Sequence, residues 1–272
     1  MASRKAILNY RNFLFEFEDL DWFPNIIRES MTDYLRYLIT RLDFYRPIIP
    51  LIMEGMNHSG AENIVDLCSG GGGAIEQIQQ ELHDQSGVNV NITLTDKFPN
   101  TKAYEFIAAR TNGAISYLSD SIDVRDVPGS LTGFRTIFSG FHHFKKKDAK
   151  AIIQNAVSTN SGIGIFDGGD KSFLAILAIL FVHPLLFFFF TPLFRPFRFS
   201  RLFFTYILPV IPFCTVWDGI ISIIRLYRPK ELLQFANEIE SEKYYWKTGR
   251  LKCRYGLHVT FLIGYPDSQD LS

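Results

Sequence analysis

Cysteine is scarce in this 272-residue chain: Cys68, Cys214 and Cys253 stand far apart, with no Cys-x-x-Cys pair among them. That spacing offers neither a disulfide framework nor a thiolate zinc site, and it suits a reducing compartment. Net charge is also missing. Lys and Arg number 28, Asp and Glu number 28, and the pI is near 7.0. The basic surface that a nucleic-acid backbone needs is therefore not encoded, and nucleic acid is not an expected partner. A secretory leader is likewise not expected, because Glu16, Glu18 and Asp19 interrupt the only apolar patch of the first 21 residues, which also carry Arg4, Lys5 and Arg11. The expected location is the cytoplasmic face of a membrane, for reasons given below.

Phenylalanine, by contrast, is abundant. The chain has 26, crowded between Phe173 and Phe213. Ahead of that region the sequence is patterned like one large α/β domain, for which the length is ordinary. Ile26, Ile27, Tyr34, Leu35, Leu38, Ile39 and Leu42 recur at helical spacing over residues 22–56, with Thr32 and Asp33 as expected helix starters. The run Asn63-Ile64-Val65-Asp66-Leu67 then meets the glycines at 70–73, and Ile75, Ile78 and Leu82 continue at three- and four-residue steps. This reads as strand, glycine loop, helix. Strands are expected at 91–95, 114–118, 135–139 and 162–167, with helices at 100–110 and 147–158. Such alternation predicts a parallel sheet covered by helices on both faces. After Asp170 the pattern breaks and resumes near Arg225, with a helix at 229–239 and closing strands at 244–247 and 258–263. Four regions follow: a helical lead-in over 1–60, a ligand-binding core over 61–170, an apolar insertion over 171–228, and closing elements over 229–272.

A glycine turn between a first strand and its helix lets a ligand approach the backbone beside the helix N-terminus. An acid at the end of the next strand commonly meets ribose hydroxyls, and Asp96 follows Gly72 by 24 residues. Those two features alone also fit a nicotinamide-dependent oxidoreductase. Ile64-Val65-Asp66-Leu67-Cys68-Ser69-Gly70-Gly71-Gly72, however, resembles the first motif of class I S-adenosylmethionine-dependent methyltransferases, with Cys68 in place of the first glycine. A Gly-x-Gly-x-x-Gly fingerprint and a Tyr-x-x-x-Lys catalytic set, which would favour the oxidoreductase, are both missing from the sequence.

The resemblance continues through Leu94-Thr95-Asp96, Ser121-Ile122-Asp123-Val124-Arg125-Asp126-Val127-Pro128 and Ile137-Phe138-Ser139-Gly140-Phe141-His142-His143-Phe144, and returns at residues 260–266. It implies a Rossmann-like seven-stranded sheet, mostly parallel with the last strand antiparallel, and S-adenosylmethionine bound at the carboxyl edge of the early strands. It further implies that Asp66 holds the loop and the cofactor's amino group, and that Gly70 and Gly72 pass close to the methionyl part. Asp96 is the implied ribose ligand and Asp123 the adenine ligand, with Asp120 as its alternative. Cys68, Ser69, Lys97, Ser139 and Gly140 complete the implied cofactor set. The opening stretch from Phe15 to Pro24 is similar to a membrane-associated subgroup of the family to which no substrate attaches.

Methyl transfer from a sulfonium is an in-line displacement that depends on positioning and the exclusion of water, and it needs no metal. A base matters only where the acceptor must lose a proton, and His142 or His143 could then serve. Packing against the cofactor or the core is the alternative role for either. Asp167, Asp170 and Asp218 border the insertion and are expected as caps and turns, as is Gly168-Gly169.

Phe173 to Phe190 gives 18 residues without Asp, Glu, Lys or Arg, enough to cross a bilayer, although His183, Pro184 and Pro192 weaken that reading. A spanning hairpin of residues 173–194 and 202–217 would put Arg195, Arg198 and Arg201 on the far side, against the tendency of basic residues to stay cytoplasmic. A monotopic arrangement avoids this, with residues 173–217 sunk in one leaflet and the arginines at anionic headgroups. A buried helical cap or a homodimer interface is the alternative. The acceptor expected on the membrane reading is a lipid or lipophilic small molecule. A noncatalytic membrane scaffold retaining the cofactor fold stands beside it.

Overall fold

The computed structural model describes residues 14–239 and 244–266; Arg4, Lys5 and Arg11 lie outside the described residues. All seven expected strands form, as β1 (Asn63–Leu67), β2 (Asn91–Leu94), β3 (Ile115–Tyr117), β4 (Phe134–Phe138), β5 (Ile163–Gly168), β6 (Tyr244–Lys252) and β7 (His258–Pro266). They make one sheet in the order β3-β2-β1-β4-β5-β7-β6. The first five run parallel, and β7 is antiparallel to both β5 and β6. This is the sheet that the resemblance implies. Its central strands read as continuous apolar runs because both faces are covered, and Ile64, Ile92, Ile137 and Ile165 are all fully buried.

The lead-in is two helices, α1 (Asn25–Leu42) and α2 (Ile49–Ser59), separated at Asp43, which takes a left-handed conformation (φ 49°). Helix α1 starts directly after Pro24, which cannot continue a helix backwards, so Thr32 and Asp33 lie inside it. Next come α3 (Ile75–Ser86), α4 (Thr101–Ala108) and α5 (Lys146–Ser158). The helix expected at 100–110 begins one residue later because Asn100 caps it, its side chain accepting from Ala103 N–H at 3.2 Å.

The insertion forms α6 (Phe173–Phe190), α7 (Phe199–Ile207, widening to π geometry from Phe203) and α8 (Val210–Arg225), before α9 (Pro229–Asn237) returns to the core. One face of α6 packs on α1: Phe187 stacks on Tyr34 at 4.0 Å between ring centres, and both join a cluster with Phe23, Ile27, Met31, Phe194, Ile211 and Cys214. The opposite face is bare, with Phe173, Leu174, Phe181, Phe188 and Phe189 each more than 60% exposed.

The arginines between the apolar arms differ from expectation. Arg198 and Arg201 turn inward onto the Asp33 carboxylate, Arg198 Nε lying 3.2 Å from Oδ2, and Arg198 also pairs with Glu29. Arg201 is 1% exposed. Two of the three arginines are therefore committed to α1 and are not free for headgroups; Arg195 alone remains exposed. The same pairing holds the turn of the insertion against α1 of the lead-in.

Candidate cofactor site

Chain reversal in the sheet leaves a crevice between β1 and β4, since β1 leads to β2 on one side and β4 leads to β5 on the other. Ligands of open α/β sheets bind at that point, outside the carboxyl ends of the strands. A cavity of about 290 Å³ opens there. Its walls include Cys68, Ser69, Gly70, Asp96, Lys97, Asp123, Ser139, Gly140 and His143. The cavity thus gathers nine residues singled out from four separate stretches of sequence. Asp66, Gly72 and His142 stand behind the wall, and Asp120 is not part of it.

The loop after β1 is shaped by close packing. A Cβ on Gly71 would stand 2.6 Å from the Thr32 carbonyl oxygen, so only glycine lets α1 close over this turn. Gly72 lies at φ 89°, a left-handed conformation that suits glycine. Two non-glycine residues at the cavity are also left-handed, Cys68 (φ 58°) and Ser139 (φ 49°), at the tips of β1 and β4. Such backbones cost about 1–3 kcal/mol each and persist where the surroundings hold them. For Ser139 the holders are visible: its N–H donates to the Phe166 carbonyl at 2.9 Å, and its hydroxyl meets Tyr45 Oη at 2.5 Å.

Asp96 lies two residues beyond the end of β2 and faces the loop. Its carboxylate accepts from Gly70 N–H at 2.8 Å and Phe98 N–H at 2.7 Å, while burial raises its pKa. Beneath the loop, Asp66 accepts from Thr136 Oγ1 at 2.7 Å, and burial pushes its carboxyl up to about 7. Burial, reinforced by Asp96, raises the Cys68 thiol well above its ordinary range, so the thiolate is suppressed. Asp123 is gripped by Arg125, whose Nε donates at 2.9 Å and holds the carboxyl below its usual range.

The far wall comes from residues to which the sequence assigned no role. Glu18 and Asp19 line the cavity, as do Arg28, Thr32 and Arg36 of α1. Arg28 holds the N-terminal segment through the Glu18 and Leu20 carbonyls at 3.1 and 2.7 Å, and its guanidinium lies 3.9 Å from the centre of the Phe98 ring. The segment also docks on α8, where the Asp218 carboxylate accepts from the N–H groups of Phe17 (2.7 Å) and Glu18 (3.1 Å). Arg225 bridges Glu16 at 2.9 Å and Asp19 at 3.0 Å. The signal in the sequence was the density of carboxylates in an otherwise apolar patch, Glu16, Glu18 and Asp19. Partners of Glu16 and Asp19 lie between 124 and 209 residues away.

Both histidines sit at this junction. His143 Nδ1 lies 2.7 Å from Asp19 Oδ1 and its Nε2 is 3.5 Å from Glu16 Oε2. Burial works to lower its pKa, but the two carboxylates outweigh burial and raise it to about 10. His142 is 4% exposed, with Nδ1 at 3.2 Å from Asp167 Oδ1.

Neither a protein-family model nor a curated protein matches this sequence. Solved structures similar to the chain include an O-methyltransferase family protein from Burkholderia thailandensis, at 12% identity over 83% of this chain and 57% of that one, TM-score 0.46. Another is the plantazolicin methyltransferase BpumL in complex with SAH, at 13% identity over 85% and 84%, TM-score 0.49. A third is the O-methyltransferase NcsB1 from neocarzinostatin biosynthesis, in complex with S-adenosylmethionine and 2-hydroxy-5-methyl naphthoic acid, at 12% identity over 80% and 52%, TM-score 0.44. The chain spans little more than half the length of the first and third of these proteins.

Proposed function

We propose that this protein is an S-adenosylmethionine-dependent methyltransferase whose acceptor is a lipid or lipophilic small molecule taken from a membrane surface. The observation that carries the first part is the cavity at the strand-order reversal, walled by the glycine loop, Asp96, Asp123 and Ser139. Asp96 and Asp123 are suited to the ribose and adenine of the cofactor, and the loop at Gly70 to its methionyl part. Bound there, S-adenosylmethionine supplies an electrophilic methyl group on a sulfonium. The chain's own contribution is to hold the acceptor in line with that group and to keep water out.

Helix α1 and the N-terminal segment serve the second task, since Gly71 and Thr32 pack without a gap and Glu18 and Asp19 close the opposite wall. Leu35, Ile39, Phe138 and Phe144 add an apolar lining suited to a lipophilic acceptor. His143, its Nδ1 held by Asp19 at 2.7 Å, acts in this reading as a positioning group at the wall and not as a base.

The bare face of α6 supports the membrane part of the reading. Among the described residues one helix is long and apolar enough to cross a bilayer, spanning Phe173–Leu193. Because its other face is packed on α1, we read the insertion as lying in one leaflet. The test is transfer of a labelled methyl group by detergent-purified protein to a membrane lipid extract or to a panel of water-soluble acceptors. Label is expected in the organic phase. Label only in water-soluble products would sink the lipophilic acceptor, and no transfer to any acceptor would sink the activity.

A further inference from the structure

The junction of the N-terminal segment with the tip of β4 holds a donor set that methyl transfer does not require. Glu16 Oε2 lies 3.9 Å from His142 Nε2 and 3.5 Å from His143 Nε2, and the three side chains offer ligand atoms all within 4.8 Å of one another. His142 Nε2 is buried and has no hydrogen-bond partner. A buried ring nitrogen left in that state forfeits its solvation for nothing, unless something else occupies the point it faces.

The opposite edges of the two rings are each fixed by a carboxylate, His142 Nδ1 by Asp167 Oδ1 at 3.2 Å and His143 Nδ1 by Asp19 Oδ1 at 2.7 Å. A carboxylate on the distal nitrogen selects the tautomer whose free lone pair is on Nε2, orients the ring and makes it a better ligand. That arrangement stands behind histidine ligands in metal sites. Charge points the same way: the carboxylates of Glu16, Asp19 and Asp167 outnumber Arg225, which pairs with the first two.

We propose that Glu16, His142 and His143 bind one divalent metal ion of the zinc class. Two imidazole nitrogens and one carboxylate oxygen suit zinc or a neighbouring first-row ion and do not suit magnesium or calcium, which take oxygen ligands. Three protein ligands leave a fourth position for water or substrate. Ser222 Oγ donates to the same Glu16 oxygen at 2.9 Å, and a carboxylate oxygen has a second lone pair for the ion. Because His143 and Asp19 also line the cavity, the ion stands at its wall and fastens the N-terminal segment to the core.

The test uses the full chain, purified in detergent and stripped with a chelator, and titrates it with Zn²⁺ against a chromophoric competitor, with Mg²⁺ as control. One Zn²⁺ per chain is expected and no competitive Mg²⁺ binding. Co²⁺ should give the visible bands of a low-coordinate site, and adding Zn²⁺ should slow hydrogen exchange over residues 16–23. Asp167→Asn, which removes the charge behind His142 and keeps a side-chain oxygen for Phe141 N–H, should weaken Zn²⁺ about 10–100-fold. His142→Ala should weaken it at least as much, and Glu16→Gln, which keeps the shape of the side chain, decides the matter if His142→Ala does not fold. Absence of stoichiometric Zn²⁺ binding to wild type, or affinity unchanged in Glu16→Gln, would overturn the site. None of these readouts involves S-adenosylmethionine, so failure here is separable from failure of the methyltransferase reading.

Discussion

Single carboxylates do different work in this site because their surroundings differ. Asp96 accepts two backbone N–H groups at the cavity, and Asp66 sits beneath it with one threonine hydroxyl. Replacing Asp96 with Ala strands the Gly70 and Phe98 N–H groups and removes the expected ribose ligand. A loss of S-adenosylmethionine affinity on the order of 10–100-fold is the expected calorimetric result. Asp66 makes a stability prediction. Its carboxyl titrates near 3.9 when unfolded and at about 7 when folded, so between those values the folded state holds a proton that the unfolded state has lost. Its contribution to stability is present below the lower value and falls away as pH rises through about 7. Asp66→Asn imitates the protonated form, so in urea denaturation the variant should gain on wild type steadily from pH 4 to pH 7. A constant difference across that range would contradict the assignment. Asp96, Asp123 and the glycines were legible as residues because motif order and spacing carry them. The roles of Glu16, Glu18 and Asp19 were not, because nothing local to residues 16–19 announces partners at Asp218, Ser222 and Arg225.

At the scale of elements, α1 is the hinge of the account. It carries Thr32 against the glycine loop, Arg28 against the N-terminal segment, and Asp33 against the two arginines of the insertion. Removing one partner of a buried ion pair leaves the other charge uncompensated, typically at about 3–5 kcal/mol. Asp33 keeps Arg198 at 3.2 Å when Arg201 is removed, so Arg201→Ala is expected to destabilise the protein by less than that in chemical denaturation, but by clearly more than Arg195→Ala, whose side chain is exposed. Equal effects of the two would contradict the inward placement. The strands and most helices were readable in advance because their apolar periods of one-sided or two-sided burial survive in the sequence. The start of α1 was not, since Pro24 outweighed the polar starters at 32 and 33. Nor could the arginine-rich turn be read correctly, because a basic cluster between apolar arms looks the same whether its counter-charges are headgroups or a buried aspartate.

For the whole molecule, the structure carries both a crevice at the strand-order reversal and an exposed aromatic surface on α6. Monomeric soluble proteins rarely leave a contiguous apolar patch of this kind uncovered, and a leaflet is the covering that the account assigns to it. Wild-type protein should float with liposomes, and Phe181→Ser/Phe188→Ser, which alters two bare positions of α6 (64% and 62% exposed), should float less while binding cofactor as before. Flotation unchanged in the double variant would remove α6 from the membrane contact. The central claim is the identity of the cofactor, and calorimetric titration of the detergent-purified protein with S-adenosylmethionine and, separately, NADH tests it most directly. The account predicts micromolar binding of the first, about −8 kcal/mol, and none of the second; binding of NADH alone would contradict it.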